Sequence, residues 1–496
     1  MNPDIYEGFV KSAQLLSLLA TCAGSFIGLI VGMIPGMTIS AGIIIVLPLT
    51  FVLPPSISIS LLLGLYAGGM MGGSFSAILL KIPGTPSASA TALDGYPLAS
   101  SGKAHIALST AIISSFLGGL FSFICLYFIA PELAEVALSF RAPDLFSLVF
   151  FGLSVICSFA TKSIIKGLLS GIIGLLFVSI GQDPVMGTER FTFGNPDLLS
   201  GIHFLTALIG LFAIPQLADN LRESTKNFNH NKKNSEIKGL LPSLKNLKIM
   251  RLPILIGSFL GTFIGILPGA GGPIAAFISY DYTKKINKNP KKFGEGCIEG
   301  VAAPESANNA VCGGALIPMM TLGIPGDPVT AILIGALLVH GLAPGPLLFM
   351  EQAPFAYSVI FSFFWANLFN LLIAMSTLPL LIKLLKTPKS LLLPIIAVLC
   401  VVGSFALRNS FFDVYIMFAF GLLGLFMKWL DMPVVPLLLA LVLGRQLEEH
   451  MRIALTSSQG DISIFFASPI SIFFLCLSAI SISWPIFFRR RKKLPL

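Results

Sequence analysis

Two copies of a proline-glycine motif lie within apolar sequence, each after glycines spaced four residues apart. The first copy reads G-x-x-x-G-x-x-P-G from Gly28 to Gly36, and the second reads the same from Gly261 to Gly269. Proline ends a helix, and inside a membrane the main-chain groups that a helix end leaves free need partners or water. A helix that restarts beyond such a break presents free N–H groups that attract anions. We therefore predict that this set binds a substrate carboxylate: Pro35, Gly36, Thr38, Ser40, Pro268, Gly269 and Gly271.

A second pair of motifs follows, I-P-G-T-P at Ile82–Pro86 and I-P-G-D-P at Ile324–Pro328. The two copies lie 242 residues apart, and those of the first motif lie 233 residues apart, which indicates an internal repeat. Hydroxyl and main-chain oxygens are hard ligands that suit a cation such as Na⁺. To the substrate we assign Ser74, Thr91, Asp94, Pro325 and Gly326. Related breaks in two halves of a membrane chain are typical of a transporter's binding site. To its coupling ion we therefore assign Ser76, Thr85, Asp327 and Thr330.

The stretch from Ala302 to Ala310 is the most polar part of its predicted span. Asn308 and Asn309 supply amides and are assigned to the substrate. Glu305 is assigned to the coupling ion, because ionisable groups inside a membrane are costly and usually functional. Alternatively, Glu305 lies at the cytoplasmic end of its span and simply contacts water.

The other features also have structural alternatives. Glycines spaced four residues apart allow helices to pack closely. Serine and threonine hydroxyls often bond to a carbonyl of their own helix.

Enzyme motifs give little support for catalysis. No H-E-x-x-H, Walker A or Rossmann glycine motif occurs in the sequence. The pairs Tyr280-Asp281 and Gly326-Asp327 resemble the motifs of an intramembrane aspartyl protease, but Ile324 replaces the first glycine and Asp281 begins a lysine-rich loop. We predict that the protein is not an enzyme and keep the protease as a remote alternative. Because there is no ATP site, transport would depend on an ion gradient or on another subunit.

Composition predicts a membrane protein. The chain has 496 residues, of which 55% are hydrophobic and 11% charged, against about 25% charged in soluble domains. Apolar runs of about 20 residues recur, long enough to cross a bilayer core of about 30 Å. The net charge of +9 lies mainly in short loops, where it orients a membrane protein rather than binding nucleic acid. The seven cysteines have no metal-ligand spacing, and no cofactor is predicted apart from a coupling Na⁺ or H⁺.

Basic loops predict the topology. Residues 222–251 form a basic linker and 489–496 a basic tail, both assigned to the cytoplasm. A second basic loop follows residues 252–280, so this segment is predicted to enter and leave the membrane on one side as a re-entrant hairpin. Residues 14–53 form the matching hairpin, and five spans separate the two.

An odd number of spans places the two repeats in opposite orientations, as in many secondary carriers. The predicted fold class is an all-α polytopic membrane protein with about 11–12 spans and two inverted-topology repeats. The repeat halves are residues 1–221 and 252–488, and each holds a helix broken at the second motif, within 82–95 and 324–335.

Several longer strings resemble the TctA family, the large membrane subunit of tripartite tricarboxylate transporters. The resemblance covers nearly the whole chain. The most specific strings are Y-A-G-G-M-M-G-G-S (Tyr66–Ser74), A-T-A-L-D-G-Y-P-L-A (Ala90–Ala99), E-G-V-A-A-P-E-S-A-N-N-A (Glu299–Ala310), G-G-A-L-I-P-M-M-T-L-G-I-P-G (Gly313–Gly326), H-G-L-A-P-G-P (His340–Pro346) and G-R-Q-L-E-E-H-M-R (Gly444–Arg452).

This resemblance implies a multi-pass permease of the bacterial inner membrane that imports a tricarboxylate or related organic acid by Na⁺ or H⁺ symport. It also implies two partners, a TctC-like periplasmic solute-binding protein and a small TctB-like membrane subunit. The alternative is a stand-alone carrier or channel without a binding protein. Three positions depart from the family pattern, because Met37-Thr38 replaces the usual Leu-Gly, Lys81 stands where Asn is common, and Asp327 stands where a small residue is expected. Lys81, beside the I-P-G-T-P motif of the first copy, favours an anion. Asp327, in the I-P-G-D-P motif of the second copy, favours a cation.

Overall fold

The chain folds almost entirely into α-helices, which confirms the predicted all-α class. The computed structural model describes residues 3–34, 37–158, 164–183, 186–224, 243–268, 271–384 and 389–489. The helices are α1 (Pro3–Ala13), α2 (Leu15–Met33), α3 (Ile39–Thr50), α4 (Pro55–Leu80), α5 (Ser89–Leu98), α6 (Ala104–Ala137), α7 (Ala142–Ser158), α8 (Ile164–Val178), α9 (Phe204–Ser224), α10 (Leu244–Ile266), α11 (Gly271–Ile286), α12 (Glu299–Leu322), α13 (Pro328–Val339), α14 (Pro346–Glu351), α15 (Ala353–Leu384), α16 (Lys389–Ala406), α17 (Phe411–Trp429), α18 (Val435–Ser457) and α19 (Pro469–Arg489). Two strands of two residues each, β1 (Gly181–Gln182) and β2 (Glu189–Arg190), pair with each other in antiparallel orientation.

Several helices are long and apolar enough to cross a membrane, so the chain is a polytopic membrane protein. Within the described ranges six segments meet this condition: Leu15–Met33, Pro55–Leu80, Pro86–Ala137, Asn246–Ile266, Ala353–Thr377 and Phe411–Trp429. Shorter apolar helices, such as Ile39–Thr50 and Pro328–Val339, accompany them. The expected 11–12 spans include shorter helices of this kind, and that number stays a prediction.

The helices form two compact units, and each unit combines early and late parts of the chain. The first unit contains Met1–Ala134 and Gln216–Gly403, and the second contains Glu135–Pro215 and Ser404–Leu496. The predicted repeat halves are a different division of the chain and stay a prediction. Most of the predicted linker, residues 225–242, and nearly all of the tail, 490–496, lie outside the described residues.

Both copies of the first motif interrupt a helix of the first unit. Helix α2 ends at Met33 and α3 begins at Ile39, while α10 ends at Ile266 and α11 begins at Gly271. Each pair of helices packs together across its break. Pro35, Gly36 and Gly269 themselves lie outside the described residues.

The spaced glycines bring two pairs of helices into main-chain contact. A side chain added at Gly28 or Gly32 of α2 would overlap the carbonyl oxygens of Leu65 or Gly69 in α4. Small residues permit this approach, and packing of this kind is a main source of helix association in lipid. For these glycines the structure therefore shows the close-packing alternative.

The second copy repeats the arrangement between α10 and α12. A side chain at Gly261 would overlap the carbonyl oxygen of Ala307, and one at Gly265 would lie 2.6 Å from that of Val311. The repeat found in the sequence is thus also a repeat of packing. The helix pairs α2–α4 and α10–α12 are its two copies.

The loops of the second motif pack in the same way against the first motif. Gly84 lies so close to Gly32 that an added side chain would overlap the Gly32 carbonyl oxygen. Its counterpart Gly326 faces the carbonyl oxygen of Gly265, 2.6 Å from where a side chain would begin. Both loops are therefore held against a glycine that precedes a helix break.

We expect replacement of these glycines to destabilise the protein. Gly32→Ala and Gly261→Ala should each lower the free energy of unfolding by about 2 kcal/mol or more, because the added methyl meets main chain that cannot move aside. Gly444→Ala is the matched control, since its methyl would meet the flexible ends of Leu175 and Val178 at 3.0 Å and 3.1 Å. Thermal unfolding of the purified variants in detergent measures the difference, and equal stability of all three would contradict this account of the packing.

Candidate functional site

The two broken segments begin with the same backbone turn. Lys81 caps the C-terminus of α4 in the left-handed region (φ 61°), and Gly323 caps that of α12 in the same region (φ 68°). A short loop follows each, and a proline then opens the next helical segment, at Pro86 and Pro328. Proline suits a first helical position because its missing N–H would have no partner there. Each copy therefore has a left-handed capping residue followed by a short loop and an opening proline.

The carboxylate of Glu305 is fully buried and accepts two hydroxyl hydrogen bonds. Thr91 of α5 donates over 2.5 Å and Ser115 of α6 over 2.9 Å. Ser74 of α4 donates instead to the carbonyl oxygen of Met71 over 2.7 Å. Glu305 is thus enclosed by the protein, and the alternative that it simply contacts water does not describe this structure.

Asn308 is fully buried, and its amide has one free acceptor. Its Nδ2 donates to the carbonyl oxygen of Met70 over 3.1 Å. A carbonyl oxygen can only accept, so this contact identifies the other amide atom as Oδ1. Among the residues that the structure describes, none forms a hydrogen bond with Oδ1. Leaving a buried acceptor without a partner costs about 1–3 kcal/mol, so this atom marks a place where a ligand would be stabilised.

The free oxygen of Asn308 faces the start of α11 and the second-motif loop of the first copy. A side chain on Gly272 would lie 2.7 Å from Asn308 Oδ1 and 3.2 Å from the Ser87 hydroxyl. Ser87 and Thr85 in turn lie 3.3 Å apart, oxygen to oxygen. Glycine at position 272 therefore leaves room where three neutral oxygens approach one another.

Asp327 caps helix α13 and receives a hydrogen bond from the other copy. Its Oδ1 accepts from the N–H and the hydroxyl of Thr330 over 2.8 Å and 2.9 Å, which with the reciprocal bond forms a capping box. Its Oδ2 accepts from the Tyr66 hydroxyl of α4 over 2.5 Å. Both oxygens of this buried carboxylate thus have protein partners.

Asp94 joins α5 to the loop before α12. Its Oδ1 accepts from three main-chain N–H groups, those of Gly294, Gly296 and Cys297, over 2.8–2.9 Å. Its Oδ2 accepts from the Tyr280 hydroxyl over 2.8 Å. With four donors already bound, this carboxylate has a structural function in the present arrangement.

The remaining predicted residues have more local contacts. Thr38 caps helix α3 by accepting from the N–H of Ala41 over 3.1 Å, and Ser40 is buried in the first turn. Asn309 donates to the carbonyl oxygen of Glu305 over 3.2 Å, and Ser76 donates to that of Gly73 over 3.4 Å. Three further members lie at or beside the breaks: buried Pro268, Gly271 with φ 63°, and Pro325 in the second loop. Their substrate or ion contacts stay predictions.

Sequence reasoning missed two side chains that these contacts include, Tyr66 and Ser115. The repeat carried a signal for one of them, because Tyr66 lies 242 residues before Asn308, the offset of the second motif. Each of these two residues reaches from its own copy towards the second-motif loop of the other. No sequence pattern distinguished Ser115 from the other serines of α6.

The acidic residues of the protease alternative lie in different surroundings. Asp281 is exposed and forms an ion pair of 2.6 Å with Lys285, whereas Asp327 is buried and bonded to Tyr66 and Thr330. This arrangement offers no support for a catalytic pair. Across the described part of the chain, no group of three or more His, Cys, Asp or Glu residues could hold a metal ion.

Several buried hydrogen bonds therefore join the first copy to the second, among them Tyr66 to Asp327, Thr91 to Glu305, and Asn308 to Met70. The fold and these contacts define a polytopic α-helical membrane protein with a polar interior at its broken helices.

Comparison with known proteins gives the family. The model of the tripartite tricarboxylate transporter TctA family matches residues 18–439, and the chain belongs to this family, whose members are membrane components of transporters. A protein of Agrobacterium vitis described as an uncharacterized 52.8 kDa protein in the TAR-I ttuC' 3' region is 38% identical over 464 residues, 94% of this chain and 92% of that protein. A second, described as an uncharacterized protein in the TAR-II ttuC' 3' region, is 39% identical over 222 residues, 45% of this chain and 92% of that protein. No solved structure matches the chain.

We expect Asp94 to be important for stability. Asp94→Ala would leave three main-chain N–H groups without their acceptor and should lower the free energy of unfolding by about 2–4 kcal/mol. Asp94→Asn should lose less, because its amide oxygen can still accept from the three N–H groups while its NH₂ donates to Tyr280.

Asp281→Ala is the control, since it removes an exposed i,i+4 ion pair worth less than about 1 kcal/mol. Thermal unfolding and trypsin cleavage after Lys291 and Lys292, which precede the bonded loop, provide the measurement. A stable, protease-resistant Asp94→Ala variant would show that the loop is held by other contacts.

Proposed function

We propose that the protein is the permease subunit of a tripartite, binding-protein-dependent secondary transporter. It imports an organic carboxylate, a tricarboxylate or a related acid, across the bacterial inner membrane. An Na⁺ or H⁺ gradient drives the import. Family membership supports the tripartite context. The proposed partners are a TctC-like solute-binding protein and a TctB-like membrane subunit.

One observation carries this proposal, the buried polar contact between the two copies at their broken helices. Secondary carriers commonly bind substrate and ion where two repeats meet, at helices whose free ends replace water. Here Tyr66, Thr91 and Asn308 each bond across from one copy to the other. We infer that the copies are inverted repeats and that their relative movement exposes the site alternately to each side.

The substrate carboxylate and the coupling ion would be bound by different groups of the site. The first N–H groups of α3 and α11 suit a carboxylate, because helix starts attract anions. The free oxygen of Asn308, with the hydroxyls of Ser87 and Thr85, suits a cation, because these atoms offer lone pairs. Glu305 is the second candidate for the coupling ion, as a buried carboxyl bound only by hydroxyls. We therefore reassign Asn308, which the sequence analysis gave to the substrate, to the coupling ion.

Reconstitution tests the tripartite mechanism. The chain is placed in liposomes with the small membrane protein and the secreted binding protein encoded beside it, and uptake of labelled mono-, di- and tricarboxylates is followed under an Na⁺ or a pH gradient. We expect uptake only with the binding protein present and with one of the two gradients imposed. Equal uptake without the binding protein would establish the stand-alone carrier instead.

We expect Asn308→Ala to lower uptake at least about tenfold, since it removes a buried acceptor worth about 1–3 kcal/mol. Asn308→Asp keeps an acceptor and adds negative charge, although it removes the bond to the Met70 carbonyl, so we expect reduced but still ion-dependent uptake if the group binds a cation. Asn309→Ala tests the neighbouring amide and should also reduce uptake.

Asn367→Ala is the matched control, because Asn367 is a buried asparagine of the same unit whose Nδ2 bonds to Phe363 of its own helix over 2.8 Å. Normal transport by both Asn308→Ala and Asn309→Ala would remove these residues from the site.

A further inference from the structure

A lysine occupies a backbone position where its counterpart in the second copy is a glycine. Lys81 caps the C-terminus of α4 with φ 61°, and Gly323 caps that of α12 with φ 68°. Glycine adopts this conformation freely, whereas other residues enter it at a cost because of their Cβ. A glycine is sufficient to form this turn, so the turn does not require the lysine side chain. A non-glycine residue in this conformation is a starting point for a hypothesis of function, which its surroundings must support.

Lys81 lines an open groove at the end of α4. The groove has a volume of about 440 Å³ and is also formed by Pro83, Ser89, Leu93 and Gly294. This volume lies in the range of sites that hold small molecules, about 300–1,000 Å³. Lys81 contributes the one charged side chain of the lining. Ser89 adds a hydroxyl, so the groove offers a positive charge and a donor to an incoming anion.

The ammonium group of Lys81 is available to an external anion. It is exposed and lies 5.5 Å from the centre of the Tyr96 ring, a cation–π distance. Among the described residues no carboxylate forms an ion pair with it. The carboxylate of Asp94, on the helix that lines the groove, is already bound by three N–H groups and by Tyr280.

The groove and the site between the copies are connected by one loop. Pro83 of its lining belongs to the same loop as Thr85, whose hydroxyl meets Ser87 beside the free oxygen of Asn308. We propose that Lys81 and this groove form an anion-binding site at the mouth of the transport path, where the lysine binds a carboxylate group of the transported acid as it enters or leaves. This inference rests on the proposed function and adds a second substrate contact outside the broken helices.

The test separates the two consequences of a lysine at this position, strain and charge. Lys81→Gly should raise the unfolding temperature by about 1–3 °C, because the strain is relieved. It should also raise the half-saturation concentration for carboxylate exchange about fivefold or more. Lys81→Gln should weaken exchange equally without the gain in stability. Lys81→Arg should keep exchange within about twofold of the native protein, since its charge is retained.

The measurements are thermal unfolding in detergent and substrate exchange in liposomes, where both faces of the protein are accessible. Lys103→Gln is the control, because Lys103 is also exposed but does not line the groove. The substrate is the acid identified by reconstitution. Succinate and citrate, with diethyl succinate as the uncharged control, also serve as probes of thermal stabilisation, which in the native protein should follow the charged acids and weaken in Lys81→Gln.

Native exchange kinetics in Lys81→Gly and Lys81→Gln would overturn the proposal and leave Lys81 as a helix terminator. A Lys81→Gln variant that loses stabilisation by phosphatidylglycerol but keeps native carboxylate exchange would also overturn it, because the groove would then hold a lipid phosphate. Failure of the native protein to transport any carboxylate would refute the proposed function instead. Thermal stabilisation by succinate or citrate would still report whether the groove binds anions.

Discussion

Close main-chain approach at glycine positions is the constraint on which the first unit depends. In lipid, burial of apolar surface gives helices little reason to associate, so packing and hydrogen bonds must hold them together. Gly28 and Gly32 allow α2 to touch the backbone of α4, and Gly261 and Gly265 do the same for α10 and α12. The breaks follow directly after these contacts. The same glycines that pack the helices therefore fix where each chain segment stops being helical.

The sequence was sufficient to predict the helical class, the repeat and the positions of the breaks, because these features depend on local composition and on residues close together in the chain. It could not predict which polar atoms meet. Tyr66 and Asp327 are 261 residues apart, and Thr91 and Glu305 are 214 residues apart. Such pairs depend on how the two copies face each other. For the same reason Asp94 could be recognised as a buried polar residue but not as the acceptor for a loop 200 residues later.

Ion pairs in the second unit are another feature that the sequence alone could not predict. The spans predicted from the sequence would place Arg452 on the outer side of the membrane, where the charge rule predicts few basic residues. In the structure it forms ion pairs of 2.8 Å with both Asp183 and Glu448, and Arg190 binds Glu448 over 2.6 Å. Hydrogen bonding to Glu448 raises the pKa of Arg190 above its ordinary value, so the group remains charged. A basic residue neutralised in such a network contributes little to orientation, and counting residues in the sequence cannot detect the network.

The buried polar groups of the first unit differ in whether their bonding is complete, and this difference separates structure from function. Asp94 and Asp327 have partners for both carboxylate oxygens, so binding a ligand there would require breaking existing hydrogen bonds. Asn308 has one bond and one free oxygen. A ligand at that oxygen replaces nothing and removes the cost of a buried, unbonded acceptor. Polarity alone, which made all three residues candidates in the sequence, cannot distinguish them. The distinction depends on the partners that folding supplies, and it makes the incompletely bonded amide of Asn308 the strongest candidate for ligand binding of these three.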